Sequence, residues 1–271
     1  MTATKLSLEK IRHPAKMRML TVARTRWVTP YLLSIVLTGE ELEGFTSLSF
    51  NDHVKLFFPE PGQSKPRLPH FNPNGSLNTS GLGNTAIRDF TPRNYNKDKN
   101  ELEIQFFIHA DDVGEHGPAA RWAINAKPGD LIGVGGPKGS LIIPAELEWF
   151  LMLGDETALP AISRRLEELP ATAVVTVMVE TACIQAPVHF KTQAKLNTHW
   201  VDKNSHTLFQ SFSEWALPKG DGFIWAAGEF SSLKPIYNQL VQANTLDKSR
   251  FKISSYWKKG ESNVHGTFGK E

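Results

Sequence analysis

Near Trp149 the arrangement of apolar residues changes kind, and that change limits what the chain can fold into. Up to residue 147 the apolar residues come in short alternating segments broken by Gly, Pro, Asn and Asp. Leu102, Ile104, Phe106 and Ile108 alternate with Glu103, Gln105, Phe107 and His109, the period-two pattern of a strand with one buried face. Lys97-Asp98-Lys99-Asn100 reads as the hairpin turn before it. Beyond Trp149 the apolar runs are continuous: Phe150 to Leu153, Ala173 to Val179 and Phe223 to Ala227. Leu159, Ile162, Leu166 and Leu169 follow the first run at helical spacing, and Leu233, Ile236, Tyr237, Leu240 and Val241 follow the third. Strands buried on both faces and alternating with helices predict a parallel sheet covered on both sides. The expected organisation is an antiparallel barrel or sandwich over residues 1–147, an α/β domain over 148–257 ending in a strand from Phe251 to Trp257, and a loose polar tail over 258–271. The stretch from Pro59 to Asp89, crowded with Pro, Gly, Asn and Ser, reads as an extended surface loop.

A chain of 271 residues has room for two ordinary domains, each with its own core. With 30 basic against 28 acidic residues the net charge is only +2, too small to point to nucleic acid, so electrostatic recognition must come from local clusters. Lys5, Lys10, Arg12, Lys16 and Arg18 crowd the first twenty residues without the apolar stretch of a secretory signal. No apolar run approaches the ~20 residues that span a bilayer, and a cytoplasmic monomer without membrane insertion is expected. Cys183 is the only cysteine, which excludes an intrachain disulfide and a four-thiolate iron–sulfur cluster built by this chain. The nine histidines lack zinc-ligand spacing, so no protein-built metal site is expected. No Gly-x-Ser-x-Gly elbow of an α/β-hydrolase occurs.

An antiparallel domain followed by a doubly wound one can hold a flavin on the first and a nicotinamide at the carboxyl ends of the parallel strands of the second. Four local sequences bear on this. In Thr91-Pro92-Arg93-Asn94-Tyr95-Asn96 an Arg and a Tyr alternate along an extended segment and so share a face. Arg neutralises a pyrophosphate, and Tyr stacks on a flat ring while hydrogen-bonding a ribityl oxygen; an ordinary edge strand accounts for the segment equally well. His116-Gly117-Pro118-Ala119-Ala120-Arg121-Trp122 opens a short helix with small residues, which lets phosphate approach the free amides of the helix N-terminus. Asp52-His53-Val54-Lys55-Leu56 places a lysine opposite the buried face of a strand. Gly154-Asp155-Glu156-Thr157-Ala158-Leu159-Pro160-Ala161 turns a parallel strand into a helix and leaves Thr157 at the strand's carboxyl end. The glycine-rich Gly133 to Gly139 is followed by the strand-like Leu141-Ile142-Ile143 where a dinucleotide loop needs a helix, and it reads as a turn between strands.

Together these segments resemble the siderophore-interacting protein family, a branch of the ferredoxin-reductase-like superfamily that reduces ferric siderophores with FAD. The resemblance runs from about Arg12 to Gly260 and is also carried by Gly135-Gly136-Pro137-Lys138-Gly139-Ser140, Trp225-Ala226-Ala227-Gly228-Glu229 and Tyr256-Trp257-Lys258-Lys259-Gly260. It implies a β-barrel flavin domain followed by an α/β nicotinamide domain. Arg93, Asn94, Tyr95 and Asn96 would bind the flavin. His109 and the segment His116, Gly117, Pro118, Ala119, Ala120 and Trp122 would hold its phosphates and adenosine half, with Thr157 on the nicotinamide side. Lys55, Lys258 and Lys259 would receive the anionic chelate, since flexible ammonium groups suit a ligand of variable shape. This chain departs from the family in having Asn96 where Ser or Thr is usual, lysines where Arg is favoured at 258 and 259, and no room for a C-terminal helix. NADH or NADPH is the implied donor, with ferredoxin as another. Glu180, ending the second parallel strand, leans towards NADH because an acid accepts from a ribose 2′-hydroxyl and repels a 2′-phosphate. Two rivals share parts of this pattern: a general flavin reductase feeding a protein partner, and a non-catalytic siderophore-binding module that would purify colourless.

Overall fold

The computed structural model describes residues 5–108, 116–244, 246–261 and 266–269. The chain divides into two compact units, one formed by Lys10–Ile142 and the other by the first nine residues with Ile143–Glu271.

The first unit is built on a seven-stranded antiparallel sheet. A short strand β1 (Glu9–Arg12) precedes β2 (Met17–Thr29), β3 (Leu32–Thr38), β4 (Val54–Phe58), β5 (His70–Phe71), β6 (Leu77–Asn78), β7 (Ala86–Phe90), β8 (Pro92–Asn96) and β9 (Glu101–Phe107). Helix α1 (Pro118–Asn125), β10 (Leu131–Gly135) and β11 (Gly139–Ile142) follow. The large sheet runs β7-β4-β10-β2-β3-β9-β8. Its two end strands, β7 and β8, are separated in the chain by Thr91 alone, so the sheet curls on itself into a barrel. Inward-facing Leu20, Val22, Ile35, Leu56, Leu102, Ile104 and Val134 fill it, and α1 adds Ala119, Ala120, Trp122 and Ala123 to the same core. The alternation over 102–108 is thus the inner face of β9, which pairs with β3 from Leu32↔Phe107 to Thr38↔Glu101. Lys97 to Asn100 form the turn between β8 and β9.

Two expectations need correction. The loop over 59–89 contains a small hairpin, β5 with β6, and its last residues form β7, a barrel strand paired with β4. The glycine-rich 133–139 segment does turn between strands, but β11 leaves the barrel sheet and pairs with β1.

In the second unit β12 (Trp149–Asp155), α2 (Leu159–Glu168), β13 (Val174–Thr181), β14 (Lys195–Asp202), α3 (Leu208–Glu214), β15 (Gly222–Glu229), α4 (Phe230–Ala243), β16 (Phe251–Trp257) and β17 (Gly266–Thr267) follow in chain order. The sheet order is β14-β13-β12-β15-β16-β17, parallel except for β17. Strand order reverses between β12 and β15, the switch point where such sheets bind ligands beyond the carboxyl ends of their strands. Leu151 and Leu153 pack with α3 and α4 through Leu208, Phe212, Leu233, Ile236 and Leu240. On the other face of β12, the Arg165 guanidinium of α2 lies over the Phe150 ring at 4.9 Å.

The tail over 258–271 is not loose in its described part. β17 pairs antiparallel with β16, and Phe268 stacks on Phe230 at 5.1 Å and packs against Tyr237 at 5.4 Å. Replacing Phe268 with Ala is expected to cost about 2 kcal/mol, read as a lower urea midpoint with unchanged slope. At the switch point a β-carbon on Gly154 would lie 2.4 Å from the Ala227 carbonyl oxygen and 2.5 Å from Ala158 Cβ. Gly154→Ala should therefore lose about 2–3 kcal/mol in the same assay.

Candidate functional site

On the barrel, the segment from Arg93 to Asn96 forms β8, and its neighbour β9 explains where its side chains go. The ladder pairs Pro92 with Ile104, Asn94 with Glu103, Tyr95 with Leu102 and Asn96 with Glu101, with a register slip between Pro92 and Asn94. Arg93 is the extra residue of that bulge, so the simple alternation expected to align Arg93 with Tyr95 is broken there. Tyr95 faces the interior, its ring edge-on to Phe45 at 5.0 Å, and its hydroxyl donates to the Leu42 carbonyl at 3.3 Å. Asn94 and Asn96 face outward and line a polar recess of about 140 Å³ with Arg24, Lys99 and Glu101. Asn96 Oδ1 accepts from the Lys99 amide at 3.0 Å. That bond closes the β8–β9 turn and leaves the Asn96 NH2 as the group able to donate outward.

Helix α1 begins at Gly117 with no side-chain cap, and Pro118 occupies its first turn. A β-carbon on Gly117 would meet nothing within 4 Å. Early amides of a helix have no intrahelical acceptor, and here Ala119 and Ala120 keep the approach narrow in side-chain bulk. His116 accepts from Arg121 Nη2 through its carbonyl at 3.0 Å. The Trp122 ring packs edge-on to Phe58 at 5.6 Å and against Phe106 at 6.0 Å, which makes it part of the barrel plug. His109 lies outside the described residues. A helix N-terminus without a side-chain cap, followed by the small residues Ala119 and Ala120, offers backbone donors of the kind a dinucleotide's phosphates accept, so the start of α1 fits FAD.

Lys55 on β4 sits directly across from Asp89 on β7 and donates to its two carboxylate oxygens at 2.9 and 3.2 Å. The Asp52-to-Leu56 and Gly135-to-Ser140 segments are joined, because Ser140 Oγ donates to the buried Asp52 carboxylate at 2.7 Å. Ser47 Oγ and the Ser49 amide converge on the same Asp52 oxygen at 2.9 and 3.1 Å. His13 Nε2 lies 2.7 Å from Ser140 Oγ.

In the α/β unit, Asp155 ends β12 and is 8% exposed. Its Oδ1 accepts from the Thr157 amide at 2.8 Å and the Thr157 hydroxyl at 2.5 Å. Its Oδ2 accepts from the Glu229 amide and from Trp257 Nε1, both at 2.8 Å. Burial pushes the Asp155 carboxyl above its ordinary range, while the hydrogen bonds from Thr157 and Trp257 oppose that rise. The Thr157 hydroxyl, having donated its proton to Asp155, offers lone pairs to a ligand. Glu229 in turn accepts from the amides of Ser231 and Ser232 at the start of α4 and, at 3.2 Å, from the Lys259 amide. Lys258 pairs with Glu261 and lies 5.6 Å from the Phe230 ring centroid.

Glu180 lies at the carboxyl end of β13, as expected. Its carboxylate accepts from the Leu208 amide at 2.9 Å and from Ser232 Oγ at 3.2 Å, so it joins α3 and α4 to the end of β13. Gly228 and Glu229 were expected beside Thr157 at the nicotinamide edge, whereas Asp155 and Trp257 carried no role of their own in the sequence reading. An Asp at a strand's end followed two residues later by Thr is an Asx-turn signal that would have singled out Asp155. Among the described residues no group of His, Cys, Asp or Glu is arranged to hold a metal ion, and no helix is long and apolar enough to cross a membrane.

Both units match known proteins. Residues 21–141 match the siderophore-interacting FAD-binding domain, and residues 147–260 match the siderophore-interacting protein domain. The chain is 34% identical to the NADPH-dependent ferric-chelate reductase of Escherichia coli over 92% of this chain and 96% of that protein. It is 30% identical to the ferric vibriobactin reductase of Vibrio cholerae over 90% of each. The crystal structure of a siderophore utilization protein from T. fusca superposes with a TM-score of 0.87 at 33% identity, covering 95% of this chain and 98% of that one. A curled antiparallel FAD-type barrel and a doubly wound sheet of ferredoxin-reductase type, matched along both halves, make this chain a member of the siderophore-interacting protein family.

Proposed function

We propose that this chain is an FAD-dependent oxidoreductase that takes electrons from NADPH and reduces iron(III) bound by a siderophore. The observation that carries the reading is the 34% identity, across nearly the whole length of both chains, to an NADPH-dependent ferric-chelate reductase. The barrel's donor set supports the cofactor: the α1 amides and Arg93 neutralise the phosphates, and the Asn96 NH2 donates at the flavin edge where relatives use a hydroxyl. FAD, when bound, supplies the conversion of a two-electron donor into the one-electron steps that iron(III) requires. Thr157, held as an acceptor by Asp155, suits the amide NH2 of a nicotinamide at the carboxyl edge of the parallel sheet. NADPH is favoured over NADH because the relative that is 34% identical across nearly its whole length is an NADPH-dependent reductase. Ferredoxin competes with it as donor, and comparing flavin bleaching by NADPH, NADH and reduced ferredoxin separates the three.

Lys55, Lys258 and Lys259 are proposed as cationic contacts for the anionic chelate. Each ion pair they make is at least partly exposed, and exposed pairs are worth only about 0.2–1 kcal/mol, so a chelate with several negative charges displaces them readily. Two tests follow. The purified chain should show flavin absorbance, or acquire it on adding FAD; a chain that does neither defeats the reading and favours a non-catalytic binding module. Replacing Lys55, Lys258 and Lys259 together with Ala should weaken binding of an iron(III) tris-catecholate at least tenfold while bound FAD is retained. Unchanged affinity would remove these lysines from the substrate site.

A further inference from the structure

Four donors meet on one buried carboxylate at the carboxyl edge of the sheet, and they come from three different strands. Thr157 follows β12, Glu229 ends β15, and Trp257 ends β16 immediately before Lys258 and Lys259. The backbone is shaped for this meeting. Gly228 sits at φ 148°, and a β-carbon there would stand 2.7 Å from Asp155 Oδ2, so a larger residue would push the Glu229 amide away from the carboxylate. The β15–β16 ladder slips at the same point, pairing Gly228 with Ser255 but Glu229 with Trp257. That slip brings Trp257 level with Glu229. Glu229 adds a second tie, accepting from the Lys259 amide at 3.2 Å.

We propose that Asp155 is a positioning residue that makes the donor-side Thr157 and the Lys258–Lys259 turn one mechanical unit, so that both ligand contacts depend on a single side chain. The proposal rests on the assignments of Thr157 and the two lysines made above. Each oxygen of Asp155 serves two donors: Oδ1 serves Thr157, and Oδ2 serves Glu229 and Trp257. An amide in its place keeps one oxygen and turns an NH2 towards the other pair, so two of the four hydrogen bonds are lost and donors face donors. Asp155→Asn has the same shape and volume and therefore tests the hydrogen bonding alone.

The experiment uses the FAD-loaded full chain and its variants Asp155→Asn, Thr157→Val and Trp257→Phe. Binding of NADP+ and of an iron(III) tris-catecholate is measured by titration, and backbone amide exchange is followed without either ligand. Asp155→Asn should weaken both ligands roughly tenfold, the loss expected when hydrogen bonds to a charged group are removed, with the flavin spectrum retained. Thr157→Val should weaken NADP+ alone, and Trp257→Phe the chelate alone. Amide exchange should rise in Asp155→Asn over residues 156–159, 228–232 and 256–261 together, while the interior of β12 stays protected. The proposal is overturned if Asp155→Asn weakens only one ligand or neither, or if exchange rises in only one of these segments. A wild-type chain that binds neither ligand contradicts the proposed function instead, and the exchange result still decides the linkage.

Discussion

A carboxylate removed from water must find donors or give up its charge, and at Asp155 the donors come from three strand ends. The carboxyl edge of the α/β unit depends on that requirement. Glycine at 228 is needed because the carboxylate occupies the space a side chain would take. The slip between β15 and β16 brings an indole N–H to the second oxygen, and Gly154 lets β12 and β15 approach closely just below. The fold places this edge at the switch point of a doubly wound sheet, where the helices diverge and leave room for a ligand. In the barrel the comparable constraint is closure: with Thr91 alone between the two end strands, the β8 segment and the strand carrying Asp89 are fixed to one another by the chain itself.

The parts of this architecture that were legible in the sequence are those whose burial is complete. β12 and β15 are buried along almost their whole length, so Phe150 to Leu153 and Phe223 to Ala227 read as continuous apolar runs, and β9 alternates because one face lines the barrel. What the sequence hid lies at edges. β14 is an edge strand with Lys195, Asn197 and His199 exposed, so Lys195 to Asp202 looked polar and went unread, as did the short α3 that follows. β7 is half-exposed throughout and blended into a loop rich in turn residues. Phe268 was one aromatic in a polar tail, and only the distant Phe230 and Tyr237 explain it.

Site residues show the same division. The motifs placed Lys55, the α1 N-terminus and Thr157 on the elements they occupy, since local turn and helix-start chemistry determines those positions. Their partners were out of reach: Asp89 lies 34 residues from Lys55, and Trp257 lies 102 from Asp155. The bulge at Arg93 is a property of strand pairing that a period-two pattern in one strand cannot reveal. The partners of Glu180 were hidden for the same reason, because the amide and hydroxyl that donate to its carboxylate belong to α3 and α4.

The central claim is that these groups pass electrons from a nicotinamide, by way of FAD, to chelated iron(III). Anaerobic mixing of the FAD-loaded chain with NADPH, then with an iron(III) tris-catecholate and an iron(II)-trapping dye, tests it most directly. The account predicts that NADPH bleaches the flavin absorbance and that the chelate restores it as two iron(II) ions are trapped per NADPH consumed. A flavin that NADPH and NADH leave oxidised, or a reduced flavin that the chelate does not reoxidise, would contradict it.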